Sequence, residues 1–322
     1  MTKADRSKPF WQTLRFILSS LMVLTFYLEN LMTKGEGVSG VLFAFNTTLI
    51  PMFVFIAGVL SQGMDRKAIY QAFLPAIITC TAFQLINTIP VIIRGDFSWG
   101  NFFRFPLDGV WFILATPIWQ WVSSKHAEII GHPFITFLIL LIISFIGLYW
   151  LQPYTSFALI LGYFPVFFVG HHLTATQIQT WRSKNPLLPM MIFAIAIGIT
   201  IVVFTQLPLE QDLMALYNTS LLNAGATYLI FMLLNALYGA FVVYFVRYID
   251  FFGTIAPRSL GIYLIHPILC VIALYFLQQN ALVLNLPTAF FLTFLTILTA
   301  AGLASIPPFN WLLAPKLPWR KG

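Results

Sequence analysis

His266 is the side chain best placed to do chemistry in this sequence. It lies inside an apolar run and is followed at once by Pro267. An ionisable group at membrane depth is expensive unless it is paired or wetted. A proline removes one helix hydrogen bond and frees a carbonyl. Irregular backbone at that depth is tolerated where it is buried in protein or lines a cavity. Together the two residues predict a site lining a cavity, and an imidazole suits proton transfer near neutral pH. Arg15 sits one turn into the first apolar run. It either snorkels to the headgroups or meets an anion. Glu29 lies near the far end of that run, either solvated or part of a site. His171 and His172 close another run and read as interfacial. One loop gathers Arg94, Asp96, Arg104 and Asp108 just before Trp111, interleaved with Phe97, Trp99, Phe102, Phe103 and Phe105. It reads either as an aromatic belt or as a mouth where a sugar stacks on rings and meets charged partners.

The elements that must position these residues are membrane helices. The chain has 322 residues, 59% of them hydrophobic and only 8% charged, with a mean hydropathy of +0.87. No soluble domain carries that composition. A span needs about 20 apolar residues. Uncharged runs place ten of them, at roughly 11–32, 40–62, 69–93, 109–122, 134–151, 156–173, 187–206, 224–246, 260–277 and 288–306. The expected fold is an all-α polytopic transmembrane bundle of about ten helices, forming a single domain over 1–322. The first run is too long for a secretory h-region and lacks a small-x-small cleavage site, so it reads as a permanent span.

Charge fixes the expected orientation. With the amino terminus in the cytoplasm and ten alternating crossings, both termini are cytoplasmic. All of the 17 Lys and Arg residues except Lys34, Arg94 and Arg104 then fall on or near the cytoplasmic side. That is the inside-positive bias of a plasma-membrane protein. The net charge of +7 is thereby explained as topology. The basic residues form no contiguous patch for nucleic acid. No phosphate loop, nucleophile elbow or zincin motif is present. Cys80 and Cys270 fall inside spans and read as small apolar residues, so no metal site is expected. Pro51, Pro117, Pro165 and Pro267 do not form the matched broken helices of many transporters.

Four stretches go further. The run Arg258-Ser259-Leu260-Gly261-Ile262-Tyr263-Leu264-Ile265-His266-Pro267 resembles the late signature of the acyltransferase-3 family of integral membrane O-acyltransferases, closest to its fucose 4-O-acetylase-like branch. Pro51-Met52-Phe53-Val54-Phe55-Ile56-Ala57-Gly58 resembles that family's second helix. Val110-Trp111-Phe112-Ile113-Leu114 resembles its Trp-Phe helix start, and Tyr163-Phe164-Pro165-Val166-Phe167-Phe168-Val169-Gly170 its sixth helix.

The resemblance implies transfer of an acyl group, usually acetyl, from cytoplasmic acyl-CoA to a hydroxyl of a cell-surface polysaccharide or its lipid-linked precursor. Acetyl-CoA would be a co-substrate, with no bound cofactor. In the family a basic residue of the first helix is followed eleven places later by a catalytic His. Arg15 matches the basic residue, but Phe26 stands where the His belongs. Glu29 matches the acid three places further on. His266, Glu29 and Arg15 are therefore the expected catalytic residues. Arg258, Arg66 and Lys67 are expected at the donor phosphates, and Trp111, Asp108 and Arg104 on the acceptor side. The substitution at position 26 leaves two further readings open. One is an inactive relative that binds glycan or assists partner proteins of polysaccharide synthesis. The other is a transporter of lipid-linked or acylated precursors.

Overall fold

The computed structural model describes residues 3–32, 39–95, 97–104, 109–129, 131–151, 156–206, 219–246 and 255–315. Among these the chain is all-α, with no strand. The helices are α1 (Lys3–Met32), α2 (Ser39–Leu60), α3 (Arg66–Arg94), α4 (Trp99–Arg104), α5 (Trp111–Ile129), α6 (Pro133–Leu151), α7 (Ser156–Gly162), α8 (Phe164–His172), α9 (Ala175–Arg182), α10 (Leu187–Gln206), α11 (Leu221–Phe245), α12 (Ser259–Gln279), α13 (Leu286–Leu303) and α14 (Pro307–Leu313).

Seven helices are long and apolar enough to cross a membrane by themselves: Phe10–Leu31, Gly40–Leu60, Arg66–Ile93, Pro133–Leu151, Leu221–Phe245, Ala256–Gln279 and Leu286–Leu303. They make the chain a multi-pass membrane protein. Their outer faces carry large exposed apolar side chains, such as Ile142 and Trp150 of α6 and Phe291 and Phe294 of α13. Such faces suit lipid.

Three expected spans take other forms. The one at 109–122 is helix α5, whose last turns carry Ser123, Ser124, Lys125, His126 and Glu128. The one at 187–206 is helix α10, whose apolar part, Leu187–Val203, is shorter than the seven. The one at 156–173 is interrupted at Tyr163, and the chain then bends by 88° into α9.

That interruption has a local cause. Pro165 has no N–H to give Leu161, and the turn at Tyr163 leaves three successive carbonyls without helical donors. Side chains of three other helices fill the gap. Trp119 Nε1 donates to Ile160 O at 2.7 Å, Ser144 Oγ to Leu161 O at 2.6 Å, and the Tyr228 hydroxyl to Gly162 O at 3.2 Å. Thr174 and Gln177 form a reciprocal capping box that starts α9. Asp65 and Asn285 cap α3 and α13.

The contacts group the chain into two compact units. The first comprises 1–11, 43–63 and 119–248; the second comprises 12–42, 64–118 and 249–322. In the first unit α2 and α8 cross closely. A Cβ on Gly170 would land on the carbonyl oxygen of Phe55, and one on Gly58 on that of Phe167. Small residues at such a crossing let membrane helices approach each other.

Candidate functional site

The candidate site belongs to the second unit and is built around the first half of α12. Ser259 and every residue from Gly261 through Pro267 are buried. A helix buried on all sides is a core element, not an amphipathic one. Its neighbours come from four directions. Ser19 Oγ of α1 donates to Ser259 O at 3.0 Å. The Tyr263 hydroxyl donates to Gly109 O at 3.0 Å, ahead of α5. Helix α13 packs along α12. Gly261 lies against Ala304 and Leu313, where a side chain would collide.

His266 is 6% exposed. Its Nδ1 lies 2.8 Å from Tyr263 O and 3.1 Å from Ile262 O. A carbonyl only accepts, so Nδ1 carries the proton and Nε2 holds the lone pair. Tyr263 O is the carbonyl that residue 267 would take in an unbroken helix. Because residue 267 is proline, that acceptor is open to the imidazole. The His-Pro pair thus selects its own tautomer. The Phe26 ring stands edge-on to the imidazole, with centroids 6.4 Å apart, and Tyr263 is also 6.4 Å away. The position eleven residues after Arg15 therefore does face His266, but with a phenyl ring.

Arg15 is half-buried on α1, four residues before Ser19 and so one turn from the contact with Ser259. Arg258 immediately precedes Ser259 and is exposed. Arg15, expected among the catalytic residues, and Arg258, expected at the donor phosphates, are thus brought to one end of this unit. Arg66 and Lys67 are exposed at the start of α3, which packs on α12. Phe26 is eleven residues beyond Arg15, about 16 Å along α1. Glu29 is exposed on the same helix.

The acceptor-side expectations fare differently. Trp111 is 4% exposed, and its ring meets Phe112, which in turn meets Tyr263. Its indole is a core group in this structure and presents no open face at a surface. Asp96, Phe105 and Asp108 lie outside the described residues, as do the side chains of Arg94, Phe103 and Arg104. Trp99 is exposed and packs with Phe97 and Phe102.

Sequence reading passed over Tyr27. Its fully buried hydroxyl shares a 2.8 Å hydrogen bond with Thr296 of α13 and also meets Cys270, one turn beyond His266. A polar cluster therefore borders the imidazole. Only the adjacency of Tyr27 to the position expected to hold His could have flagged it. In the other unit, His171 Nδ1 pairs with Ser61 Oγ at 2.8 Å, tying α8 to the turn that follows α2. Among the described residues no group of three His, Cys, Asp or Glu side chains could hold a metal. No family model, curated protein or solved structure matches the chain.

Proposed function

We propose that this chain is a plasma-membrane O-acyltransferase with both termini in the cytoplasm. It moves an acyl group, acetyl first among candidates, from acyl-CoA to a hydroxyl of an envelope polysaccharide or its lipid-linked precursor. The observation that carries the reading is the buried His266 whose Nδ1 is tied to the carbonyl freed by Pro267. That arrangement leaves Nε2 as the basic nitrogen. In the reaction Nε2 takes the proton from the acceptor hydroxyl as its oxygen attacks the thioester carbonyl carbon. The carbon–sulfur bond then breaks, and the departing thiolate takes the proton back from the imidazolium. Arg15 and Arg258, at one end of the unit, meet the donor phosphates, with Arg66 and Lys67 as further cations. Glu29 is assigned to proton handling on the family pattern, and Arg104 and Asp108 to the acceptor side on their place in the loop of charges and rings; the buried Trp111 supports that loop's helix rather than touching the acceptor.

A second reading rests on Phe26. A phenyl ring cannot accept a proton, and it occupies the place where the family pattern has a His. On that reading the chain binds acyl-CoA or glycan without turnover and serves partner proteins of polysaccharide synthesis. One experiment separates the two. The full chain in lipid nanodiscs is given acetyl-CoA labelled in its acetyl group and a mixture of envelope glycans. Transfer that is lost in His266→Gln supports the enzyme. Acyl-CoA binding without transfer, converted to transfer by Phe26→His, supports the inactive relative. Transfer unchanged in His266→Gln removes the catalytic assignment.

A further inference from the structure

Tyr263 of α12 reaches the imidazole with its main chain and the loop of charges and rings with its side chain. Its carbonyl oxygen lies 2.8 Å from His266 Nδ1. Its hydroxyl donates to Gly109 O at 3.0 Å. Tyr263 is 2% exposed, so both bonds are made away from water. Gly109 ends the loop and opens α5. Its carbonyl also accepts from Phe112 N at 3.1 Å, which starts the helix. Both lone pairs of that carbonyl are therefore used. Gly109 has φ +80°, a backbone that favours glycine. A Cβ there would land on the Tyr263 hydroxyl. The glycine is thus required twice, by its own backbone and by the phenol against it. The Tyr263 ring meets Phe112 edge-on, with centroids 6.0 Å apart. On the other side of the loop, Gln84 Nε2 of α3 donates to Phe102 O at 3.0 Å. In sequence, residues 103–108 fall between these two side-chain anchors. They include Arg104 and Asp108, the pair assigned to the acceptor side.

The chemistry calls for such a link. A general base must come within about 3 Å of the hydroxyl it deprotonates. Misplacing a reacting group by about 1 Å can cost about a hundredfold in rate. Here the base sits on a buried helix and the acceptor groups sit on a loop. Loops are the more mobile part of a fold. The distance between base and acceptor is held only if the loop is tied to the helix that carries the base.

We propose that Tyr263 is a positioning residue: its carbonyl fixes the base, its hydroxyl fixes the acceptor loop, and the phenol between them sets one against the other. The proposal rests on the acyl-transfer reading for what the loop holds, but not for the tie itself. The test compares the wild type with Tyr263→Phe and Ser19→Ala, each as the full chain in nanodiscs. Tyr263→Phe deletes one oxygen and keeps the ring and the carbonyl. Ser19→Ala is the control, because it removes another hydroxyl-to-carbonyl bond one turn earlier on α12. Hydrogen exchange over residues 97–110 needs no turnover. It should quicken about fivefold in Tyr263→Phe, the value of one hydrogen bond, and stay at the wild-type rate in Ser19→Ala. The nitrogen-15 spectrum of His266 should keep its Nδ1–H tautomer in Tyr263→Phe. With labelled acetyl-CoA and envelope glycans, the glycan concentration for half-maximal transfer should rise about fivefold while the KM for acetyl-CoA holds. A general loss of packing would not split the two substrates. Loop exchange unchanged in Tyr263→Phe, or quickened equally in Ser19→Ala, would overturn the proposal. So would a looser loop with an unchanged glycan requirement. A looser loop in a chain whose wild type transfers nothing would remove the acyl-transfer reading and leave Tyr263 as the residue that holds this loop.

Discussion

Replacing Pro267 by Ala should stabilise the protein and weaken its chemistry at the same time. Alanine restores an N–H that reaches Tyr263 O, the acceptor now bound by His266 Nδ1 at 2.8 Å. The recovered helix bond is worth about 1 kcal/mol, and the range for such bonds is about 0.5–1.5 kcal/mol. Unfolding temperature in detergent should therefore rise. The imidazole loses the shorter of its two tethers and keeps only Ile262 O at 3.1 Å. Its preference for the Nδ1–H tautomer weakens by a similar energy, so the population with a basic Nε2 falls. Acetyl transfer should drop about two- to tenfold, because 1.4 kcal/mol corresponds to a factor of ten. Nitrogen-15 spectra of labelled histidine report the tautomer directly and do not require turnover. The opposite signs are the diagnostic point, since damage to packing would lower stability and transfer together. Joint loss of both, or an unchanged tautomer in a more stable protein, refutes the reasoning.

Other substitutions probe the neighbourhood. Phe26→His should place a second imidazole against His266 and raise transfer by at least about tenfold, the low end of what a positioned base contributes being about 10², and the readout is labelled product per minute. A double-mutant cycle on Tyr27→Phe and Thr296→Val should give a coupling of about 0.6 kcal/mol in unfolding, the usual value across membrane helices; a coupling of zero would mean that the 2.8 Å contact contributes nothing. Gly170→Ala should cost about 1–3 kcal/mol, because its Cβ meets the Phe55 carbonyl on a rigid helix. A thermal shift by fluorescence-detected chromatography measures that cost. Arg15→Gln should raise the KM for acyl-CoA several-fold with little change in kcat, as expected for a contact that binds substrate and transition state alike.

The membrane helices were legible because composition alone demands them. Seven expected spans are continuous helices, since nothing in Phe10–Leu31 or Leu286–Leu303 competes with an unbroken apolar run. The break at Tyr163 was harder to see. Pro165 announced it, but its direction depends on Trp119, Ser144 and Tyr228, which are 66 residues away at most and on three different helices. No local pattern encodes those pairings. At the candidate site the sequence singled out His266 by its charge and its proline. It could not report that the first half of α12 is buried all round, because an apolar helix facing protein and one facing lipid are written in the same residues. Trp111 shows the same ambiguity. A Trp beside a charged loop suits an interface, yet here it packs in the core.

One backbone device serves two ends in this chain, and the difference lies in what remains unused. At Leu161, the carbonyl freed by Pro165 is taken by Ser144 from another helix, and the hydroxyl has done its work as a lock. At Tyr263, the carbonyl freed by Pro267 is taken by the imidazole next to that proline. A hydroxyl that donates its one proton is left with acceptor capacity too weakly basic to take a proton near neutral pH. An imidazole that donates from Nδ1 keeps a nitrogen of useful basicity. The chemical reading therefore depends on the residue that fills the gap rather than on the gap itself. Ser144→His and His266→Ser test this from both sides. The first should leave transfer where it was, since a lock does not become a base by composition alone. The second should keep the Tyr263 carbonyl bonded while abolishing transfer; if transfer survives it, the spare nitrogen has no role.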